Sequence, residues 1–160
     1  MPHIHEKIDF CSEVFVVHDN KVILRFHDKH KIWLSVGGHI ELDEDPNEAA
    51  VREVKEEIGL TIRLHGFKEE YDQKNYKLLV PPEYMLRFPI SETHEHVVLV
   101  YFATSTTDIL NIPNVEENKD APCKWFTREE LEDPKYKITP NVKFYAKKAL
   151  EKLGEKRIIK

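Results

Sequence analysis

Cysteines, long apolar runs and signal-like sequence are all scarce in this chain of 160 residues. Its two cysteines, Cys11 and Cys123, lie far apart and form no CxxC pair, so we expect two reduced thiols rather than a disulfide. The longest uninterrupted apolar run, Val97 to Ala103, is far shorter than the roughly 20 residues that span a bilayer. The start, MPHIHEKIDF, lacks a basic region followed by an apolar stretch, so no secretory signal is expected. These absences favour a cytoplasmic protein without a membrane span.

An excess of basic residues is also missing. The chain carries 24 Lys and Arg against 29 Asp and Glu, a formal net charge of −5. A broad basic face that would hold nucleic acid is therefore not indicated. The acidity is uneven, because residues 38–60 include eight acidic and two basic side chains, while the rest of the chain is nearly neutral. The negative charge of the chain is therefore concentrated in residues 38–60.

The chain has no linker rich in proline, glycine or serine and no internal repeat. A single domain over residues 1–160 is therefore predicted. The apolar runs Val14–Val17 and Val97–Phe102 are typical of strands covered on both faces. Asp19-Asn20, between two apolar segments, indicates a hairpin. Shorter strands are predicted at Ile32–Leu34 (ending at Gly37-Gly38), Thr61–Phe67 and Cys123–Phe126.

Two helices are predicted from their ends. Asp45-Pro46-Asn47-Glu48 combines a capping box with proline at the first helical position, and Gly59 supplies a stop, so one helix runs from Pro46 to Ile58. A second helix is expected from about Asn141 to Leu153, ending at Gly154, and 127–131 is expected to form a single turn or short helix. Strands on both sides of a helix, with a helix at the C-terminal end, predict an α/β sandwich with a mixed sheet.

Three glutamates share one face of the first predicted helix. At 100° per residue Glu53, Glu56 and Glu57 project from a stripe about 100° wide. Like charges at this spacing cost a few tenths of a kcal/mol per pair, and Mg²⁺ prefers carboxylate and carbonyl oxygens. A divalent-cation site and a solvated acidic face are the two interpretations of this stripe.

The spacing around the stripe decides between them. Gly38, then five residues, Glu44, then seven residues and REVKEEIGL from Arg52 to Leu60 match every position of the Nudix box. The sequence thus resembles the Nudix hydrolase family. The resemblance extends over about residues 10–153, although only the box from Gly38 to Leu60 is diagnostic. One departure is Val36, which stands where many members carry proline.

The resemblance implies a Nudix-like α/β/α sandwich with a central mixed β-sheet. It also implies an Mg²⁺-dependent pyrophosphohydrolase, with Mn²⁺ as a substitute, that cleaves a nucleoside diphosphate linked to another group X by water attack on phosphorus. The partner would be a small-molecule nucleotide derivative, and a nucleic acid would enter only through a 5′ end or cap. The identity of X and the oligomeric state are not encoded in the box.

The box also implies roles for its residues. Glu53, Glu56 and Glu57 would be the Mg²⁺ ligands, completed by a backbone carbonyl at Gly37 or Gly38. Arg52 would orient the glutamates and Glu44 would support the loop before the helix. Glu53 is the favoured general base, and a glutamate outside the box is the alternative.

Three glutamates downstream of the box are candidates for an auxiliary carboxylate: Glu95, Glu116 and Glu117. Glu95 lies between His94 and His96, two imidazoles that can form part of a metal site. Since no further ligand is identifiable from the sequence, a half-exposed strand start is the favoured interpretation of this histidine pair.

The segment 68–91 is long for a connection between strands and rich in aromatic and basic residues. It is predicted either to be a substrate-specificity insertion or to pack its own aromatics on the sheet. Candidate substrate contacts in it are Tyr71, Tyr76 and Arg87. Tyr76 lies 16 residues after Leu60, the position of a tyrosine in some dinucleoside-polyphosphate hydrolases of the family.

Two other functions remain open at this stage. A Nudix-fold module that binds a nucleotide as a sensor would not need an intact box, and an isoprenoid-diphosphate isomerase would carry an altered one. The intact Arg52 and four glutamates therefore favour the hydrolase.

Overall fold

The computed structural model describes residues 7–66, 74–118 and 121–155, which form eight strands and two helices. The strands β1 to β8 are Ile8–His18, Lys21–His27, Ile32–Leu34, Val36–His39, Ile62–Leu64, Tyr84–Pro89, Glu95–Ser105 and Cys123–Phe126. The helices α1 and α2 are Pro46–Ile58 and Pro140–Leu153. Neither helix in this part of the chain is long and apolar enough to cross a membrane.

The sheet is built around β1, which pairs on both of its edges. It runs parallel to β7 from Ile8 opposite Glu95 to Val17 opposite Thr104. On its other edge it pairs antiparallel with β4 and then, at the hairpin end, with β2. The short strands β3 and β8 extend the sheet from β2, and β5 and β6 pair antiparallel with β7. The predicted mixed sheet is confirmed.

The two helices cover opposite faces of this sheet, which explains the unbroken apolar runs in β1 and β7. Val14 and Val16 are fully buried on the α1 side together with Val54. Phe15 and Phe102 are buried on the α2 side, where Phe15 also contacts the ring of Tyr145. The predicted α/β/α sandwich is therefore confirmed.

The local predictions succeed where short-range chemistry decides the structure. Asp19 and Asn20 have φ of 43° and 59°, the left-handed conformations of a tight hairpin turn. The bounds of α1 are those predicted, and α2 begins one residue earlier than predicted, at Pro140. The strand Cys123–Phe126 is also found as predicted.

Other elements differ in detail. The chain near Trp33 forms two strands, because Ile32–Leu34 pairs with β2 whereas Val36–His39 crosses to pair with β1. Of the strand predicted over Thr61–Phe67, the described residues 61–66 form a strand at Ile62–Leu64, and residue 67 lies outside the described residues. The turn predicted at 127–131 is a 3₁₀ turn over Glu130–Glu132.

The segment 68–91 contributes a strand to the sheet. Its residues Tyr84–Pro89 form β6, and the Tyr84 ring lies 5.1 Å, centroid to centroid, from that of Tyr145 in α2. In this part of the segment the aromatics pack on the sheet. Residues 67–73, which include Tyr71, lie outside the described residues.

Candidate active site

Helix α1 is fixed at its start by the predicted capping box. Asp45 Oδ1 accepts hydrogen bonds from the backbone N–H groups of Asn47 and Glu48 at 2.9 and 3.0 Å, and Glu48 Oε2 accepts from the Asp45 N–H at 2.9 Å. At its other end the Gly59 N–H donates to the Lys55 carbonyl at 3.1 Å. These ends set the rotation of the helix, and with it the direction of its glutamates.

The glycine pair of β4 lies directly against two of those glutamates. The Gly37 N–H donates to Glu57 Oε2 at 3.0 Å. A Cβ placed on Gly38 would stand 2.4 Å from Glu53 Oε1, so only a glycine lets this carboxylate lie against the strand. The two glycines thus leave backbone without side chains next to two carboxylates, an arrangement that could hold a small cation.

Arg52 connects the box residues to one another. Its Nε and Nη2 donate to the two Glu44 oxygens at 2.9 and 2.6 Å. Its Nη1 donates to Glu53 at 2.9 Å and to Glu56 at 3.0 Å. Its Nη2 also donates to the His39 carbonyl at 3.0 Å. The guanidinium therefore ties the loop, the end of β4 and two glutamates into one unit.

This network shifts the protonation equilibria of its members. The hydrogen bonds from Arg52 lower the pKa of Glu44, and those to Glu44 and then Glu53 raise the pKa of Arg52. Glu44 also accepts from the Glu41 N–H at 2.9 Å. Both groups are therefore charged throughout the neutral range.

Arg25 on β2 is a further site residue that the sequence analysis missed. Its Nη1 lies 2.8 Å from Glu57 Oε1, and its Nη2 donates to Asn118 Oδ1 at 3.0 Å. The signal that could have identified it is a charged side chain in the otherwise apolar stretch VILRF. Glu57 thus has one oxygen on Arg25 and the other on Gly37.

A cleft of about 530 Å³ opens beside the three glutamates. Its other wall is the segment 113–118, which Asn118 ties to α1 by donating to the Glu56 carbonyl at 3.1 Å. The residues that line it are Arg25, Glu53, Glu56, Glu57, Pro113, Val115, Glu116 and Asn118. One side of the cleft is therefore acidic and the other includes apolar side chains.

Of the three auxiliary candidates, Glu116 lies in this cleft. Glu117 follows it in the 3₁₀ turn Glu116–Asn118, and its side chain is outside the described part of the chain. Glu95 lies at the start of β7, where Lys7 and Arg87 pair with it. The hydrogen bonds from Arg87 and Lys7 lower the pKa of Glu95 to about 2.

The candidate substrate contacts are placed differently. Arg87, on β6, pairs with Glu95 on β7, and Tyr76 is 70% exposed. Neither residue is among those that line the cleft. Beside Tyr76, Lys77 forms an ion pair with Glu48 at 2.7 Å and another with Asp45. Residues 74–80 are therefore attached to the start of α1.

A second cluster of polar side chains involves the histidine pair. Asp9 and His39 join His94 and His96, and one ligand-type atom from each of the four lies within 4.8 Å of the others. Burial, and then the neighbouring His39 and His94, lower the pKa of His96. The sequence did not identify Asp9 and His39, because strand pairing brings them to this place.

The chemistry of the glutamate set fits a hard divalent cation. Glu53, Glu56 and Glu57 offer only oxygen atoms, and the uncovered backbone at Gly38 adds room and a carbonyl. Arg52 and Arg25 balance part of the negative charge through ion pairs with Glu53, Glu56 and Glu57.

The chain is similar to a known family of proteins. A family model described as the NUDIX domain matches residues 11–147. The chain belongs to the Nudix family. Its members generally use a divalent metal, in keeping with the oxygen-only ligand set. The predicted box from Gly38 to Leu60 lies within the matched residues.

Solved structures support the same assignment. A hydrolase of the NUDIX family from Clostridium perfringens is 35% identical, with a TM-score of 0.82 over 94% of this chain and 99% of that one. A MutT NUDIX hydrolase from Burkholderia pseudomallei has 19% identity and a TM-score of 0.61, covering 92% and 99% of the two chains. A NUDIX hydrolase from Nitrosomonas europaea has 14% identity and a TM-score of 0.63, covering 91% and 90%. The last two show the shared fold, and the first supports the prediction of a Nudix hydrolase.

Proposed function

We propose that this Nudix hydrolase is an Mg²⁺-dependent pyrophosphohydrolase that cleaves a nucleoside diphosphate linked to another group X. The observation that carries the proposal is the convergence of Glu53, Glu56 and Glu57 on one side of the cleft, beside the glycine pair of β4. An oxygen-only ligand set next to an open cleft suits a cation that must share its coordination with phosphate.

In this proposal Glu53, Glu56, Glu57 and the carbonyl of Gly38 hold Mg²⁺, for which Mn²⁺ can substitute. The ion would neutralise the diphosphate and lower the pKa of the attacking water. The glutamates differ in access, since the Glu56 side chain is 60% exposed and that of Glu53 is 15% exposed. Glu57, held by Arg25 and the Gly37 N–H, is the most firmly positioned of the three.

The proton of the attacking water would go to a carboxylate on the cleft. Glu53 is the proposed general base, because Arg52 Nη1 fixes its Oε1 and the carboxylate lies against Gly38. Glu116 is the alternative acceptor, since it lines the same cleft from the opposite wall. Arg52 and Glu44 act as positioning residues for this carboxylate.

The apolar wall of the cleft is the proposed contact for the nucleoside or for X. Pro113 and Val115 offer apolar surface there, and Val115 is 48% exposed. Such a surface suits a small nucleotide derivative, including a 5′ end or cap. Tyr71, Tyr76 and Arg87 stay predicted substrate contacts. The cytoplasmic location also stays a prediction, in keeping with the free thiols of Cys11 and Cys123.

The test is a nucleotide panel followed by phosphorus NMR, run with and without Mg²⁺. The panel includes ADP-ribose, dinucleoside polyphosphates, modified deoxynucleoside triphosphates and capped RNA. We expect Mg²⁺-dependent conversion of at least one class into two phosphorus-containing products. Glu56→Gln should slow it by at least about 100-fold, since it removes a cation ligand.

Glu151→Gln on α2 is the matched control, because it removes the same charge from an exposed ion pair with Arg128. It should leave the turnover unchanged. Binding of nucleotide without turnover of any panel member, together with unchanged binding by Glu56→Gln, would contradict the proposal and favour a nucleotide sensor.

A further inference from the structure

The cluster of Asp9, His39, His94 and His96 lies where three strands meet. Asp9 in β1 is directly opposite His96 in β7, and His39 in β4 is opposite Cys11, two residues further along β1. Residues two apart in a strand share a face, and so do directly paired residues. The sheet register therefore brings Asp9, His39 and His96 to one face, and His94 joins them from just before β7.

That face is the one opposite the box glutamates. Gly38 faces α1, since a Cβ there would meet Glu53, and the next residue of a strand faces the other way. Cys11, the partner of His39, accordingly belongs to the core cluster on the α2 side. The histidine cluster and the glutamate cleft are thus on opposite sides of the sheet.

Three distances within the cluster are close to those of a tetrahedral metal site. Ligand atoms about 2.05 Å from a zinc ion in a tetrahedron lie about 3.3 Å from one another. His94 Nε2 and His96 Nε2 are 3.0 Å apart, and Asp9 Oδ2 lies 3.3 Å from His94 Nε2 and 3.7 Å from His39 Nε2. The rings of His94 and His96 are nearly perpendicular, at 87°, so their nitrogens approach from different directions.

The donor chemistry separates this cluster from the glutamate set. Three imidazoles and one carboxylate favour a borderline transition metal, whereas carboxylates and carbonyls favour Mg²⁺. We propose that Asp9, His39, His94 and His96 form a binding site for one divalent transition metal ion of the zinc type. Asp9 is 47% and His39 54% exposed at the side chain, so the ion can enter from solvent.

An ion in this place would act on the fold and on the neighbouring residues of β4. It would join β1, β4 and the start of β7 at one end of the sheet. It would also fix His39, which follows Gly38 directly and whose carbonyl accepts from Arg52. Carboxylate–imidazole pairing without metal is the competing explanation of the cluster.

The experiment measures Zn²⁺ affinity by competition with a chromogenic chelator, in excess Mg²⁺ so that the glutamate set is occupied. The full chain is compared with His94→Ala/His96→Ala and with the single variant Asp9→Asn, which keeps a side chain of the same shape. Two double variants are matched controls. One is His27→Ala/His30→Ala, two histidines outside the cluster whose ring centroids lie 4.6 Å from each other. The other is His3→Ala/His5→Ala, near the start of the sequence.

We expect one equivalent of tightly bound Zn²⁺ in the wild type and in both control variants. The double variant should lose at least about 100-fold in affinity and Asp9→Asn at least about tenfold, since even residues that only orient ligands contribute factors of 10 to 100. Zn²⁺ at 100 times its Kd should raise the wild-type Tm by about 5 °C or more and leave that of the double variant unchanged.

Co²⁺ gives a second readout, because tetrahedral Co²⁺ with nitrogen ligands absorbs visible light far more strongly than octahedral Co²⁺ bound to oxygens. The wild type and Glu56→Gln should both show the intense spectrum, and Asp9→Asn should weaken it even if the double variant does not fold. Equal Zn²⁺ affinity in the wild type and Asp9→Asn, or a weak octahedral spectrum, would overturn the proposal. Neither readout depends on nucleotide hydrolysis, so the two proposals can fail separately.

Discussion

Gly38→Ala is the substitution that tests the proposed cation site most selectively. The added Cβ would stand 2.4 Å from Glu53 Oε1 and 2.7 Å from its Cδ, both at the end of a flexible side chain. An ordinary contact needs about 3.4 Å, so the carboxylate must move by about 1 Å. The backbone of Gly38 is not left-handed, and the strand itself can remain in place.

The expected effect falls on activity rather than on stability. A displacement of about 1 Å at a reacting group costs about 100-fold in rate. The free energy of unfolding should change by less than about 1 kcal/mol. Replacing glycine reduces the conformational freedom of the unfolded chain, which stabilises the fold by about 0.4–1 kcal/mol. This gain offsets the weakening of the Arg52–Glu53 ion pair, whose side chains are 29% and 15% exposed.

Gly37→Ala is the matched control, one residue earlier in the same strand. Its Cβ would lie 2.1 Å from the backbone carbonyl oxygen of Ser12, and its φ of +149° is one that alanine rarely adopts. Because the Cβ and the Ser12 carbonyl oxygen are both fixed by the backbone, neither can rotate away from the other. We therefore expect a loss of at least about 3 kcal/mol in the free energy of unfolding. The Tm should fall by about 6 °C or more.

The assay combines Mg²⁺-dependent turnover of the best panel substrate with thermal unfolding of both variants. Gly38→Ala should keep its Tm within about 4 °C of the wild type while losing activity and Mg²⁺ affinity. Full activity in Gly38→Ala, or equal destabilisation by the two substitutions, would refute the assignment of Gly38 as the surface on which Glu53 is held.

Three further predictions concern single groups. Burial raises the pKa of Glu13, which accepts a hydrogen bond from the Ser35 hydroxyl at 2.9 Å. The wild type should therefore lose stability relative to Glu13→Gln as the pH rises above about 4.5, the pKa of this group in the unfolded chain. Thermal unfolding at a series of pH values measures this, and a Tm difference between the two proteins that does not change with pH would contradict it. Burial raises the pKa of Cys11 to about 12 and that of Cys123 to about 11. Because the thiolate is the reactive form, iodoacetamide at about pH 8 should alkylate the folded chain at least about tenfold more slowly than the unfolded chain, as followed by mass spectrometry. Arg52→Lys should lower kcat/KM by at least about tenfold, because an ammonium cannot reproduce the forked contacts of the guanidinium; unchanged kinetics would argue against the positioning role.

Much of the site could be predicted from the sequence because its geometry is local. Asp45 and Gly59 set the ends of α1 through contacts within four residues, so the bounds of the helix and the shared face of its glutamates follow from spacing alone. The hairpin at Asp19-Asn20 and the buried strands follow from composition in the same way. The resemblance to the box implied that Arg52 orients the glutamates and that Glu44 supports the loop before α1, and both roles stay predictions.

The remaining features depend on contacts between distant parts of the chain. Arg25 reaches Glu57 because β2 lies beside β1, and no short-range pattern encodes that pairing. Asp9 and His39 meet the histidine pair only through the parallel register of β1 with β7 and the turn of the chain into β4. Such registers are set by the burial of both faces of the sheet and are not visible in any one segment.

The most direct test of the central claim is hydrolysis of the best panel substrate in H₂¹⁸O, with mass spectrometry of both products. Water attack on phosphorus at the box glutamates predicts one ¹⁸O atom in a single phosphate-bearing product. It also predicts a rate at least about 100-fold lower in Glu53→Gln, the range expected for loss of a general base. Label in a product without phosphorus, or an undiminished rate in Glu53→Gln with the same labelling, would contradict this account of the site.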